Sequence, residues 1–408
     1  MVKIDNWRVI STGWKSKDRL HLHSATEVHW IGLKHTWAEK RRFHAVLSVL
    51  STIPNISSLS LYFADINEAQ QATIFGLSTL RTLMVHSCRF HPSTKPLPSS
   101  HVTALKLANT DMQTSRRLLT ILASTVETLE VYYFDGTIGS ILQDGLIVFP
   151  KLSAISMRTL QYGIGLAISH TFKRYTSITT ICILFYFDLS ELSLDDSDLP
   201  ALRSLKCRND LAMRLIPKRP VKTFVEVRSS HDTGPWMLLN ALSKTNARIT
   251  NLKISVSDHF SSLLPSLATS LLHLEQLTLK CFSGGVPWLG ASSPDHLSWQ
   301  PPNSPPGAEA VILPKLKWVT IWVDLDQFKH TNRCFEWSRT KCFIPVCPAL
   351  EVFECLCSSY YGLRFDFGQP SEPDRAWKTR RLPDGTWERQ VPPPIPTLLP
   401  AKKLHAAP

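Results

Sequence analysis

The sequence lacks the features of a membrane-spanning or a secreted, disulfide-rich protein. Its longest apolar stretch, Ile178 to Phe187, is interrupted by threonines and is far shorter than the roughly 20 residues that span a bilayer. The first eight residues are polar and mixed in charge, without the apolar core of a signal peptide. The nine cysteines are an odd number in a long chain, which does not suggest a disulfide framework. We therefore expect a cytoplasmic or nuclear protein.

Motifs that carry catalysis or hold a cofactor are also missing. The sequence has no phosphate-binding G-x-x-x-x-G-K-[ST] loop, no H-E-x-x-H helix and no G-x-S-x-G turn. Gly163-Ile-Gly165 begins like a dinucleotide fingerprint, but Ile168 replaces the third glycine, so we interpret it as a turn. Five cysteines lie between Cys334 and Cys357 without a C-x-x-C pair, which favours packed thiols over a zinc site. The sequence predicts no enzyme, no cofactor and no metal.

The positive charge is concentrated at the two ends of the chain. The formal net charge is +12; residues 1–50 hold nine Lys/Arg against four Asp/Glu, and residues 364–408 hold eight against five. A nucleic-acid-binding protein usually carries a continuous basic stripe instead. This distribution therefore makes nucleic acid the less favoured partner.

The strongest pattern is a recurring L-x-x-L-x-L spacing of apolar residues. Most intervals between first positions run from 19 to 28 residues, and the last two are 42 and 34 residues. This is the period of leucine-rich repeats. The units begin at Ile56, Leu80, Val102, Val126, Leu152, Ile178, Leu202, Ile249, Leu274, Leu316 and Leu350, and a degenerate copy contains Val221, Phe224 and Val227.

The spacing has a direct structural meaning. In L-x-L the two apolar side chains point to one face of a strand, and a strand this short needs neighbours to bury that face. We therefore predict the α/β class: an irregular leucine-rich-repeat solenoid with parallel β-strands on the concave face, and helices and loops on the convex face. Asp111 to Ser124 is one predicted convex helix, with Asp111 as its cap.

Composition divides the chain into five predicted segments. Residues 284–310 are rich in Pro, Ser and Gly, and the end of the chain is rich in proline. Asp384-Gly385 is a two-residue hairpin signal. The segments are a basic N-terminal segment with a lead-in helix (1–51), the repeat solenoid (52–283), an inserted loop (284–310), the last repeats (311–365), and a C-terminal hairpin with a proline-rich tail (366–408).

The register predicts which side chains face the concave surface. They are the residues between and just after the core leucines, and in the middle and later units they form a basic row that ends in two tryptophans on one strand. Trp, Tyr and Arg carry much of the energy of protein interfaces. The predicted face contains Tyr62, His86, Lys106, Tyr132, Arg158, Lys206, Arg208, Lys253, Lys280, Trp318 and Trp322, and the predicted protein-binding residues are Arg158, Lys206, Arg208, Lys253, Lys280, Trp318 and Trp322.

An acidic protein or peptide is the partner that this row favours, with Trp318 and Trp322 as apolar anchors. The alternative is that the lysines are ordinary solvated positions and that the tryptophans pack under the inserted loop.

The chain resembles the fungal family of F-box-like leucine-rich-repeat proteins. The resemblance lies in the segments IPNISSLSLYF, LSTLRTLMVHSC, FPKLSAISM, LPALRSLKC and CPALEVFECLC, and in the closing motif RLPDGTWE after Trp377. It implies a substrate-recruiting subunit of a cullin-type ubiquitin ligase, with the ligase adaptor as a second partner. Residues 1–50 contain no L-P-x-E-like opening of an F-box. The other hypotheses are a repeat scaffold without a ligase connection and a basic, nucleic-acid-associated repeat protein.

Overall fold

A computed structural model describes twelve ranges of the chain, which divides into two compact units. The units are residues 1–208 (unit 1) and 209–408 (unit 2). The described residues are 27–31, 55–94, 96–132, 136–158, 165–184, 188–227, 235–256, 267 with 270–281, 313–324, 347–358 and 375–390. The lead-in helix, the inserted loop 284–310 and the proline-rich tail predicted from the sequence lie outside them.

Unit 1 contains a parallel sheet of eight described strands. All the described pairs between neighbouring strands are parallel. In sheet order the strands are β1 (Glu27–Ile31), β2 (Ser58–Tyr62), β4 (Thr82–His86), β6 (Ala104–Ala108), β7 (Thr128–Val131), β8 (Ala154–Met157), β9 (Thr180–Ile183) and β10 (Ser204–Cys207). A separate pair, β3 (Asp65–Ile66) and β5 (Arg89–Phe90), is also parallel. Strand β1 lies where the sequence predicted only a basic segment with a helix.

The apolar triplets explain the register of this sheet. The second residue of each triplet is buried and pairs with its counterpart on the next strand, so one face of the sheet is a continuous apolar core. The first residue of each triplet is buried just before the strand begins. The aligned core row is Leu59, Leu83, Leu105, Leu129, Ile155, Ile181 and Leu205.

Helices form several of the return segments of unit 1. The Asn67 side chain accepts from the Gln70 N–H and the Gln70 side chain from the Asn67 N–H, a capping box; Asp111 accepts from the Thr114 N–H, as its position predicted. The helices are α1 (Glu68–Phe75), α2 (Met112–Leu122), α3 (Gly136–Gln143) and α4 (Gly165–Arg174), followed by a 3₁₀ turn at Leu189–Glu191.

Unit 2 contains five parallel strands and an antiparallel pair at one side. The strands are β11 (Thr223–Glu226), β12 (Asn251–Val256), β13 (Gln276–Cys281), β14 (Trp318–Asp324), β15 (Val352–Ser358), β16 (Arg375–Arg381) and β17 (Trp387–Gln390). Strands β11 to β15 pair in parallel, whereas β16 pairs with β15 and β17 in antiparallel fashion. Its described helices are α5 (Asn209–Leu215) and α6 (Pro235–Ser243). Both units are α/β with mostly parallel sheets.

The turn between β16 and β17 is longer than its sequence signal suggested. The connection covers residues 382–386, in which the Leu382 N–H donates to the Thr386 carbonyl at 2.7 Å. Gly385 has a φ of 84°, a left-handed conformation that glycine adopts without steric cost. Asp384 accepts from the Thr386 N–H and hydroxyl, so the whole five-residue loop is internally bonded.

A glutamate replaces the last apolar residue of the degenerate repeat. The sequence pattern placed Val227 at this core position, which is wrong: β11 ends at Glu226, whose side chain is 1% exposed, and Val227 is half-buried. Glu226 Oε1 accepts from Asn209 Nδ2 at 2.5 Å and Oε2 from the Ser255 N–H. Burial raises the pKa of the Glu226 carboxyl, while the Ser255 and Asn209 hydrogen bonds and Lys280 oppose that shift.

Gly165 occupies a position where a side chain does not fit. A Cβ there would lie 2.6 Å from Glu191 Cβ and 3.1 Å from the Asp188 carbonyl oxygen, and the Gly165 N–H donates to Glu191 Oε2 at 2.9 Å. We expect Gly165→Ala to lower the free energy of unfolding by about 1–3 kcal/mol, since the turn must move aside. Urea denaturation measures the loss. Leu166→Ala, at an exposed neighbouring position, is the control and should change stability by less than about 0.5 kcal/mol.

Candidate protein-binding face

The face of the sheet opposite the apolar core, here called the open face, carries the residues between and just after the core positions. In unit 1 from β2 to β10 they form three rows along the sheet. The middle row is Ser60, Met84, Lys106, Glu130, Ser156, Cys182 and Lys206. The last row, at the carboxyl ends of the strands, is Tyr62, His86, Ala108, Tyr132, Arg158, Leu184 and Arg208.

The charges of this face are unequal. Between β2 and β10 the described open face of unit 1 carries four cations, Lys106, Arg158, Lys206 and Arg208, and one carboxylate, Glu130. The residues of the first row, from Ser58 to Ser204, are uncharged. The acidic run of residues 188–198 lies between strands β9 and β10 in sequence and contributes nothing to these rows. The face therefore presents an excess of positive charge.

Glu130 is held between two of the cations. Its Oε2 lies 3.0 Å from Lys106 Nζ and its Oε1 lies 2.7 Å from Arg158 Nη2. The Glu130 and Arg158 side chains are 9% and 15% exposed, so this pair is largely desolvated, whereas Lys106 is 35% exposed. The Arg158 guanidinium also lies 4.8 Å from the centroid of the Tyr132 ring. Arg158 is thus fixed in one orientation.

Tyr132 titrates far from its ordinary range. Burial and, to a lesser extent, the Glu130 carboxylate raise the pKa of its hydroxyl to about 12, while Arg158 opposes that shift. Tyr132 therefore remains a neutral hydrogen-bonding group at physiological pH.

Beyond Glu130 the middle row continues with two short side chains. Ser156 on β8 pairs with Cys182 on β9, and Cys182 pairs with Lys206 on β10. Burial raises the pKa of the Cys182 thiol, and the Ser156 hydroxyl and the Lys206 and Arg158 charges oppose that rise. Two short side chains thus lie among three long cationic ones, Arg158, Lys206 and Arg208.

An aromatic cluster lies near the first strands. The Tyr62 and His86 rings are 5.5 Å apart in an edge-on arrangement, and the Phe63 ring lies 5.3 Å from His86. Burial lowers the pKa of His86. Phe63 is 47% exposed, and its backbone is left-handed with a φ of 54°. This cluster provides apolar contact area on the same face as the cations.

The open face of unit 2 joins lysines with tryptophans. Lys253 Nζ lies 5.4 Å from the centroid of the Trp322 ring, and Lys280 is the register partner of Trp322. Trp318 Nε1 donates to the Thr320 hydroxyl at 3.0 Å, which in turn donates to Glu354 at 3.2 Å. Both tryptophans are half-buried, so each retains surface for a partner.

The predicted site residues fall into two groups. In unit 1, Arg158, Lys206 and Arg208 lie around Cys182; in unit 2, Lys253, Lys280, Trp318 and Trp322 lie on neighbouring strands. Sequence reasoning missed Glu130, although it lies 24 residues after Lys106 at the same repeat position. It also missed Ser156 and Cys182. These two residues occupy the same repeat position as Glu130 and Lys206, so an alignment of the repeats could have indicated them.

A groove of about 700 Å³ lies on the helical side of unit 1. It is bordered by α2 and the segment that follows β5, and its walls include Phe90, Pro98, Gln113, Arg116 and Ile121. Arg116 is paired with Asp144, and Arg117 Nε donates to Gln71 at 2.8 Å. The described residues that line the groove include Arg116 and Arg117 and no carboxylate, histidine or cysteine.

Comparisons with known proteins assign no family to the chain. No protein-family model matches the chain, and the search of curated proteins also found no match. Within the described ranges, no three His, Cys, Asp or Glu side chains are grouped so as to hold a metal ion. None of the described helices combines the length and apolar character that a membrane span requires.

Proposed function

We propose that the chain is an irregular leucine-rich-repeat protein that binds an acidic protein partner on its open face and performs no catalysis. The repeat type is supported by the agreement of period and register. Each described strand from β2 to β15, apart from the β3–β5 pair, contains the second apolar residue of one predicted unit, and most of the intervals are those of leucine-rich repeats. Such arrays are predominantly binding scaffolds, because they present an extended surface of short strands.

The observation that carries the partner class is the excess of cations on the open face. Four cations against one carboxylate in unit 1, and Lys253 and Lys280 beside tryptophans against the one carboxylate Glu354 in the same three rows on the described strands β12 to β15 of unit 2, complement an acidic surface with apolar side chains. The one carboxylate of the described open face of unit 1, Glu130, is already held by Lys106 and Arg158. A partner with acidic side chains therefore meets net positive charge in each unit.

The most specific form of the proposal is a substrate-recruiting subunit of a cullin-type ubiquitin ligase, which rests on the family resemblance. A pull-down of the purified full-length chain with the ligase adaptor subunit, at moderate salt, tests it. Binding supports a docking element in the chain. No binding by a folded chain contradicts the ligase role and leaves the repeat scaffold, which the next experiment tests.

Charge reversal on the open face should weaken binding of an acidic polypeptide. We expect Lys206→Glu and Lys253→Glu each to reduce the affinity for a fluorescein-labelled polyglutamate peptide by about 10-fold. Each variant replaces an attraction to the peptide by a repulsion, and a loss of about 1.4 kcal/mol in binding free energy corresponds to a factor of ten. Fluorescence anisotropy measures the affinity.

The matched control is Lys173→Glu, which reverses an exposed lysine on α4, away from the open face. Equal losses in all three variants would show that only net charge matters and would contradict a binding face. Tighter, steeply salt-dependent binding of single-stranded DNA than of polyglutamate would instead favour the nucleic-acid hypothesis.

A further inference from the structure

Three cations of unit 1 surround a floor of two short side chains. Ser156, Cys182 and Lys206 follow one another in register across β8, β9 and β10. Arg158 and Arg208 directly follow β8 and β10 and extend the same face. Because neighbouring strands are about 4.8 Å apart, the three cationic side chains start within roughly 12 Å of one another. Ser156 and Cys182 have shorter side chains than these three cations, and we call the surface above the two short side chains the depression.

The same face already shows how it binds a carboxylate. One strand earlier in the row, the Glu130 carboxylate occupies the position between Lys106 and Arg158, at 3.0 and 2.7 Å. The next two residues of that row are Ser156 and Cys182. Neither side chain has a carboxylate that could lie between Arg158 and Lys206. The row therefore provides one carboxylate, Glu130, and none at the two positions below the depression.

We propose that this depression binds one carboxylate group, an Asp or Glu side chain of an acidic partner segment, between Arg158, Lys206 and Arg208. The inference rests on the proposed function and specifies where on the open face one acidic side chain sits.

Two further observations fit a carboxylate at this place. Arg158 is held by Glu130 and by the Tyr132 ring, so little side-chain entropy is lost when it binds a ligand. Lys206 and Arg158 both oppose the rise in the pKa of the Cys182 thiol, so both positive charges act on the place above this side chain.

Cys182 provides a direct test, because it lies in the floor of the depression. Iodoacetate and iodoacetamide both alkylate a thiolate, forming a C–S bond and releasing iodide, but only iodoacetate carries a carboxylate. We expect the ratio of their rates at Cys182 to be about 10-fold higher in the folded chain than in the urea-unfolded chain, and to fall with added salt. Peptide mapping by mass spectrometry separates Cys182 from Cys88 and Cys207, which are buried in unit 1.

The variants locate the effect. Lys206→Gln should reduce the ratio to that of the unfolded chain, whereas Lys173→Gln, with the same charge change on α4, should leave it unchanged; thermal melts verify that both variants fold. Equal ratios in folded and unfolded wild type, equal effects of the two variants, or no reaction of Cys182 with either reagent would overturn the proposal.

A second arm links the depression to a polypeptide. Polyglutamate should slow the reaction of Cys182 with neutral iodoacetamide at least several-fold, and more than a phosphoserine peptide or single-stranded DNA of equal charge does. Polyglutamate that binds in a Lys253-dependent manner without protecting Cys182 would refute this carboxylate site and leave the proposed function standing. Polyglutamate that does not bind the chain at all would overturn both.

Discussion

Replacing Glu226 by alanine will destabilise unit 2 by about 3 kcal/mol. The substitution leaves Asn209 Nδ2 and the Ser255 N–H without their acceptor in the core, and it removes the side-chain atoms that fill the site. Glu226→Gln will behave differently, because its oxygen accepts from the Ser255 N–H, its NH2 group donates to Asn209 Oδ1 after that amide flips, and the charge is removed. Urea denaturation of the full chain over a series of pH values measures both effects.

The pH dependence has a definite sign. The pKa of Glu226 is raised in the folded state above its ordinary value of 4.5, so the folded chain holds this proton more tightly than the unfolded chain does. The contribution of Glu226 to stability is therefore fully present below pH 4.5 and is lost as the pH rises through the folded pKa. Glu226→Gln should be more stable than the wild type at neutral pH, and the difference should shrink as the pH falls. A difference that is constant, or that favours the wild type more strongly near neutrality, contradicts this account.

Removing the charge of Glu130 will have two opposite consequences. Glu130→Gln leaves Arg158, which is 15% exposed, without its carboxylate, and breaking a largely buried ion pair in this way costs about 3 kcal/mol. The same substitution removes the one acidic group of this part of the open face, so the affinity for polyglutamate should rise several-fold. Denaturation and fluorescence anisotropy on the same preparation measure the two effects.

The control for Glu130 is an ion pair at the surface. Arg116 and Asp144 are paired on α2 and just after α3 with side chains 46% and 41% exposed, so Asp144→Asn should cost less than about 1 kcal/mol. Comparable losses in the two variants, or weaker polyglutamate binding by Glu130→Gln, would show that Glu130 does not act as the internal counter-ion of the face.

The parallel strands could be predicted from the sequence because burial and periodicity agree there. A triplet such as Leu202, Leu205 and Cys207 has its three apolar residues at the positions that the core requires, so spacing alone locates strand β10. The prediction was wrong at β11, where the core position is occupied by Glu226. A search for apolar residues moves past a charged residue to Val227, since only the hydrogen bonds from Asn209 and Ser255 make the buried carboxylate acceptable.

The candidate site was less predictable than the fold. Period-two alternation assigns Arg158 and Lys206 to the open face, but it does not tell whether a cation is solvated or paired. The pairing of Arg158 with Glu130 depends on the register between β7 and β8, in which Glu130 lies opposite Ser156. Period-two alternation within one strand does not give that register. The two-stranded β3–β5 sheet depends on dipeptides that are too short for any periodic signal.

The antiparallel hairpin of unit 2 covers one edge of the parallel strands β11 to β15. Strand β15 is seven residues long, and its apolar Val352, Phe353 and Leu356 are buried, so an unpaired edge here would be a template for strand addition by another chain. Strand β16 occupies that edge with reversed direction, and β17, the last described strand of the row, has four residues that include the exposed Glu388. A short, charged last strand is a poor template for further pairing. The hairpin thus protects this end of the sheet against edge-to-edge polymerisation, a hazard that every open stack of parallel strands carries.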